Sequence, residues 1–177
     1  LFFHGIKSVM TIHNLKFQGK WNIKDVKSIT GLSDYYFTPD KLEFKKDANL
    51  LKGGIVYADA ITTVSDTYAE EIKTDFYGEG LNGLLTARKN DLRGIVNGID
   101  YDSFNPEKDP YIAFPYNAAN FRKEKVKNKR ALQERLGLEQ RWEVPMVAMV
   151  SRLVDHKGLD LVREGIQRLL DSENMQF

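Results

Sequence analysis

The residues best placed to do chemistry form two short clusters. In the segment Val147-Ala148-Met149-Val150-Ser151-Arg152-Leu153-Val154-Asp155-His156-Lys157-Gly158, an apolar run gives way to two cations, Arg152 and Lys157, before a helical pattern begins. In open parallel α/β sheets, ligands gather outside the carboxyl ends of strands. Helix N-termini attract anions. Arginine offers phosphate oxygens a planar fork, and lysine a mobile point charge. The pair therefore suits a diphosphate. Two surface cations beside a turn would leave the same trace, and helix N-termini more commonly carry acidic residues. The second cluster lies in Val9-Met10-Thr11-Ile12-His13-Asn14-Leu15-Lys16-Phe17-Gln18-Gly19. His13 and Asn14 stand where another apolar stretch ends. A polar loop there can meet a ligand, but His13 can equally cap the strand through a hydrogen bond.

Alternating strands and helices must position these clusters. Ile6 to His13 reads as a buried strand of the parallel type. Asn14 to Gly19 reads as a loop. Trp21 to Leu32 has no decisive pattern, and Asp34 to Leu42 is an aromatic patch without a regular element. A helix is expected over Asp47 to Tyr57, despite Gly53-Gly54, and a strand over Ala60 to Val64. Ser65 opens a helix through Lys73, with Thr67 and Glu70 at capping-box spacing and Ser65 as a second cap. A short helix over Leu81 to Arg88 and a strand over Leu92 to Val96 follow, then a turn at Asn97-Gly98. Asp100 to Asn120 is irregular, with Pro106, Pro110 and Pro115. A helix over Lys123 to Leu136 stops at Gly137. Met146 to Val150 is a buried strand, and Leu159, Val162, Ile166, Leu169 and Leu170 form the apolar stripe of a last helix. The order implies an α/β fold with parallel sheets. The long irregular stretch suits a connection between two domains.

Composition removes several functions. With 26 Lys+Arg against 25 Asp+Glu, the formal net charge is +1. Residues before Gly94 carry 13 basic and 12 acidic groups, and those after it 13 and 13. No bulk field draws nucleic acid or an anionic membrane. The absence of cysteine excludes disulfides, thiolate zinc sites and cysteine nucleophiles. No window approaches the length of apolar sequence that a membrane helix needs. The chain begins at Leu1 and ends just past a helical pattern, so a piece from within a longer protein is expected.

Together the motifs resemble one family. T-I-H-N-L-x-F-Q-G is similar to the T-V-H-N-L-x-Y-Q-G loop of bacterial glycogen synthases and plant starch synthases. Ile61 to Ile72 resembles the family's I-T-T-V-S-x-T-Y-A-x-E-I. Tyr77-Gly78, Gly80-Leu81 and Gly83-Leu84-Leu85 resemble Y-G-x-G-L-x-G-L-L. Gly94-Ile95-Val96-Asn97-Gly98-Ile99-Asp100 with Asn105-Pro106 resembles G-I-L-N-G-I-D…W-x-P. Asn128 to Gln133 and the S-R-L-x-x-x-K-G segment complete a set that runs in family order across nearly the whole chain.

The resemblance implies the GT-B architecture, with parts of two Rossmann-like domains. Residues 1–96 would end the N-terminal, acceptor-side domain. Residues 97–177 would hold the hinge and the start of the nucleotide-sugar-binding domain. The implied reaction is retaining transfer of glucose from ADP-glucose to the non-reducing end of an α-1,4-glucan, glycogen or starch, in the cytoplasm or a plant plastid. Neither a metal nor another cofactor is implied, nor a nucleic-acid or membrane partner. Arg152 and Lys157 match the cations on the donor diphosphate, and His13 a cleft histidine near the transferred glucose. Asn14 matches a neighbouring polar contact, and Asn97 an asparagine that faces the cleft from the hinge. His13, Arg152 and Lys157 are thus the expected catalytic residues; Asn14 and Asn97 join the two cations in binding substrate. Two alternatives stand beside this reading: a related transferase using a UDP- or GDP-sugar, and a module that binds nucleotide sugar or glucan without turnover.

Other features carry blander meanings. Lys52-Gly53-Gly54 imitates a nucleotide loop but lies inside a helical pattern. The six basic groups from Arg122 to Arg130 read as a solvated helix start, diluted by Glu124 and Glu134. Tyr35, Tyr36, Phe37, Trp21 and Phe44 could stack on sugars or form a satellite core.

Overall fold

A computed structural model describes residues 5–177. The chain divides into two compact units, one running to Gly98 and the other spanning Ile99–Phe177. The first contains β1 (Val9–Ile12), β2 (Lys20–Trp21), α1 (Ile23–Thr30), β3 (Glu43–Phe44), β4 (Asp47–Asn49), α2 (Leu50–Tyr57), β5 (Ala60–Thr63), α3 (Asp66–Glu71), α4 (Asn82–Ala87) and β6 (Leu92–Gly94). β1, β5 and β6 form a parallel sheet in that order, with Val9 opposite Ala60 and Ile61 opposite Leu92. The expected parallel α/β class is therefore observed. Its core joins Ile12, Leu15, Ile61 and Leu92 to Leu51 and Ile55 of α2, and to Ile72, Leu81 and Leu85.

A smaller antiparallel sheet, ordered β2-β4-β3, packs beside that core, with Ala48 and Asn49 fully buried and Phe44 against the cluster. The helix expected from Asp47 starts only at Leu50 because Asn49 caps it. The Asn49 side chain accepts from the Lys52 N–H at 2.9 Å, which leaves Asp47–Asn49 extended. Gly53 and Gly54 are tolerated in α2 because they let it approach its neighbours closely. A Cβ on Gly53 would lie 2.9 Å from Leu42 Cγ, and one on Gly54 would lie 2.8 Å from Met10 Sδ. Lys52 itself is 8% exposed. Its ammonium donates to the Glu43 carbonyl at 2.6 Å and to the Pro39 carbonyl, so it is committed to the backbone.

The helix after β5 begins differently from the capping-box expectation. Ser65, not Thr67, is the cap: its backbone is extended and its hydroxyl accepts from Tyr68 N–H at 3.0 Å. α3 ends at Glu71, and tighter i+3 bonds carry the chain through Lys73 and Thr74. The expected strand to Val96 stops at Gly94; Ile95 and Val96 are exposed, though Ile95 N–H still donates to Thr63 O at 2.7 Å. Arg88, to which the sequence pattern alone gives no role, spreads its guanidinium over the carbonyls of Ile55, Val56 and Ala58 at the end of α2, and pairs with Asp91.

Asp59 ties the chain entering β1 to the start of β5. Its carboxylate accepts from Lys7 Nζ and Ser8 N–H, each at 2.8 Å, and from Ser8 Oγ at 3.1 Å. The Lys7 hydrogen bond, then those of Ser8, pull its pKa from 3.8 to about 2. A carboxylate depressed in the folded state contributes stability that is whole above its unfolded pKa. That contribution is lost as pH falls from 3.8 towards 2. Lys7 is raised above 10.5 by the same partner, so its share holds below that value and is lost at higher pH. A carboxyl-carbon NMR titration should find Asp59 near 2, and Lys7→Met should move it back towards 3.8. An ordinary midpoint in the unmodified protein would contradict the triple anchoring.

The second unit contains α5 (Phe121–Arg135) and α6 (Leu159–Ser172). α5 gives way at Leu136 and Gly137, whose φ of 67° admits the left-handed turn the sequence calls for. The buried strand expected over Met146 to Val150 is not formed. Among the described residues, one parallel bridge joins Met146 to Gln176, and Val150 is 98% exposed. The apolar run is strand-like, but a buried parallel strand needs ladder partners on both edges, and here only one edge is touched. The stripe on α6 is present but unburied. Its members Val162, Ile166 and Leu169 line an apolar groove of about 330 Å³ with Val147, Met175 and Phe177. Gln133, fully buried, joins α5 to the Arg141 carbonyl and to the Gln176 side chain. Lys129 of the basic run donates to the Trp142 and Val144 carbonyls, and Lys127 pairs with Glu124. Lys129 thus ties α5 to the segment that follows it, and Lys127 braces the helix itself. No described helix is long and apolar enough to cross a membrane.

Candidate active site

The carboxyl end of the parallel sheet gathers the loops after β1, β5 and β6. In the first loop, the residue types divide the labour. Ile12, Leu15 and Gln18 are buried, whereas His13, Asn14, Lys16 and Phe17 are exposed. Leu15 plugs the core, and its N–H donates to the Tyr68 hydroxyl at 3.1 Å. Asn14 turns the loop by accepting from Lys16 N–H through its side chain at 3.0 Å and from Phe17 N–H through its carbonyl. No protein hydrogen bond engages the His13 imidazole among the described residues, so a strand-capping role for it is absent. The ring stands exposed at the sheet edge, on a loop anchored on both sides.

Neighbouring segments hold this loop in place. Thr63 Oγ donates to Ile12 O at 2.7 Å, joining the ends of β1 and β5. Gln18 Nε donates to Glu79 O at 3.1 Å, joining the loop to the turn that precedes α4. Gly94 lies against the start of α3; a Cβ there would fall 2.2 Å from Asp66 N. Only glycine permits that approach. The chain then leaves the sheet towards Asn97, which is exposed and has no side-chain partner among the described residues. The first loop is therefore bonded to two other sequence motifs of this unit, through Leu15 to Tyr68, Ile12 to Thr63, and Gln18 to Glu79.

In the second unit, Arg152 and Lys157 lie between the apolar run and α6. Asp155–Lys157 forms a single 3-10 turn, and Gly158 takes a left-handed φ of 70° before the helix. Gly158 caps α6 without a side chain, so no side-chain acceptor is spent on the first amides of α6. Both cations are exposed, and neither enters an ion pair or side-chain hydrogen bond among the described residues. They lack the structural commitments that occupy Lys52, Arg88 and Lys129. Two unspent cations beside a helix N-terminus can stabilise an anion.

The first unit presents loops at the carboxyl end of a parallel sheet, the second carries exposed cations before a helix, and the match to a starch synthase catalytic domain assigns them to parts of a GT-B fold. The chain matches the glycogen synthase and starch synthase family along nearly all of its length. Residues 1–87 match the family model of the starch synthase catalytic domain. A glycogen synthase of Lachnoclostridium phytofermentans is 65% identical over 161 residues, covering 91% of this chain and 34% of that protein. One of Lachnospira eligens is 64% identical over 176 residues, covering 99% and 37%. The chain thus spans about a third of the length of these relatives. The catalytic domain of starch synthase IV from Arabidopsis thaliana, bound to ADP and acarbose, superimposes with a TM-score of 0.86 at 36% identity, covering 93% of this chain and 34% of that one.

Proposed function

We propose that the complete protein is a retaining glucosyltransferase that passes glucose from ADP-glucose to the non-reducing end of an α-1,4-glucan. The observation that carries this is 64% identity to a glycogen synthase over 99% of the chain, through both units. The plant starch synthase, bound to ADP and acarbose, supports a nucleotide donor and a glucan acceptor. In this reading the first unit is the acceptor side and the second binds the nucleotide sugar. The bacterial relatives favour a cytoplasmic setting.

The chemical problem is departure of ADP from the anomeric carbon. That C–O bond breaks with both electrons going to the diphosphate, and the acceptor hydroxyl oxygen forms the new bond. The hydroxyl proton leaves with the products. Charge grows on the diphosphate as the bond stretches, and Arg152 and Lys157 stabilise it. His13 and Asn14 orient the glucose, and Asn97 adds a polar contact from the connecting segment. No metal ion or other cofactor is invoked, and no nucleophile is assigned. The test is glycogen-dependent release of ADP from ADP-glucose by the complete protein, with UDP- and GDP-glucose as comparators. Preference for ADP-glucose supports the proposal. Preference for another donor would assign it to a related transferase, and binding without release would make it a non-catalytic module.

A further inference from the structure

Gln18 and Asn49 are polar side chains in the core of the first unit, exposed by 3% and 0%. They bond to each other, Asn49 Nδ donating to Gln18 Oε at 2.7 Å. Each has a second partner. Gln18 Nε donates to Glu79 O at 3.1 Å, and Asn49 Oδ accepts from Lys52 N–H at 2.9 Å. The backbone repeats the connection: Leu51 N–H donates to Gln18 O and Leu50 N–H to Gly19 O. A continuous hydrogen-bonded path therefore runs from the start of α2, through Asn49 and Gln18, to the turn at Glu79.

That turn is unusual. Glu79 has φ +49° and is followed by Gly80 at φ +81°. A non-glycine residue in the left-handed region persists where its surroundings over-determine it. The Gln18 donor on the Glu79 carbonyl supplies one such constraint. Phe44 packs against the next residue, where a Cβ on Gly80 would fall 2.8 Å from its ring edge. Apolar side chains of the same volume would fill this space without directional requirements. Two amides instead fix angles, because a buried unsatisfied donor or acceptor is penalised.

We propose that Gln18 and Asn49 are positioning residues for the proposed transfer reaction. They lock the His13–Gly19 loop and the Glu79 turn into one wall, and so set where His13 and Asn14 stand without touching substrate. This rests on the glucosyltransferase reading for its kinetic consequence but not for its structural one.

The experiment uses the complete protein with Gln18→Met, which keeps volume but loses both bonds. It also uses Gln18→Glu, which keeps an acceptor for Asn49 and loses the donor to Glu79. In both variants kcat should fall about 10-fold with an unchanged KM for ADP-glucose, as expected when positioning rather than binding is lost. Amide hydrogen exchange should quicken across residues 13–17 and 77–81 while that of β5 stays as in the unmodified protein. Unchanged exchange in both loops would overturn the proposal. So would a lowered melting temperature with unchanged kcat per folded molecule, which marks a purely structural pair. If Gln18→Met does not fold, Gln18→Glu supplies both readouts. An unmodified protein without turnover would remove the transferase reading alone, and hydrogen exchange would still decide the positioning role.

Discussion

Arg152→Ala or Lys157→Ala in the complete protein should lower kcat about 100-fold or more, the usual loss when a transition-state electrostatic donor is removed. Each cation lies after an apolar run and before α6, exposed and without a side-chain partner among the described residues. Removing either should therefore leave stability within about 0.5 kcal/mol of the unmodified protein, as for surface substitutions away from packed features. Kinetics and folding thus separate cleanly at these positions, unlike at Lys52, where alanine would strand two carbonyls. Steady-state kinetics with ADP-glucose and glycogen, beside a melting curve, make the measurement. Near-normal turnover in both variants would remove the diphosphate role.

His13→Ala should lower kcat/KM by about 10- to 100-fold, the scale on which loss of substrate orientation acts. The fold should be untouched, because the buried residues flanking His13 are Ile12 and Leu15, and its own ring makes no protein hydrogen bond among the described residues. Kinetics and a melting curve on the same preparation decide between positioning and structural roles. A lower melting temperature with unaltered kcat/KM per folded molecule would make His13 a structural residue.

The parallel sheet is legible in the sequence because β1 and β5 are compact apolar stretches bounded by turn residues, but the buried strand expected over Ile6 to His13 is only Val9–Ile12 at the sheet edge, with Val9 62% exposed and Ile12 alone buried. The three two- and three-residue strands of the antiparallel sheet are not legible. Lys20–Trp21 and Glu43–Phe44 have no periodicity of their own and are extended only because β4 pairs with both. The cap at Ser65 was one of two options that spacing alone could not separate; its extended backbone separates them. At Met146 to Val150 the local pattern is that of a strand, but strand formation is settled by ladder partners, which local pattern does not contain. Within the candidate site, the exposed members of the first loop follow from motif and position. The supporting role of Gln18 does not, because its partners Asn49 and Glu79 lie 31 and 61 residues away. A polar residue in an apolar run signals a buried partner, but Gln18 lies beside Gly19 in a loop, where polar residues are the rule.

Incorporation of labelled glucose from ADP-glucose into glycogen by the complete protein, followed by digestion with an exo-hydrolase specific for α-1,4 bonds at non-reducing ends, measures donor, acceptor, linkage and anomeric outcome together. The expected result is label in the glycogen that the hydrolase releases fully, with Arg152→Ala and His13→Ala both depleted in label. No incorporation above a boiled-protein control, or label that resists the hydrolase, would contradict retaining α-1,4-glucosyl transfer by this protein.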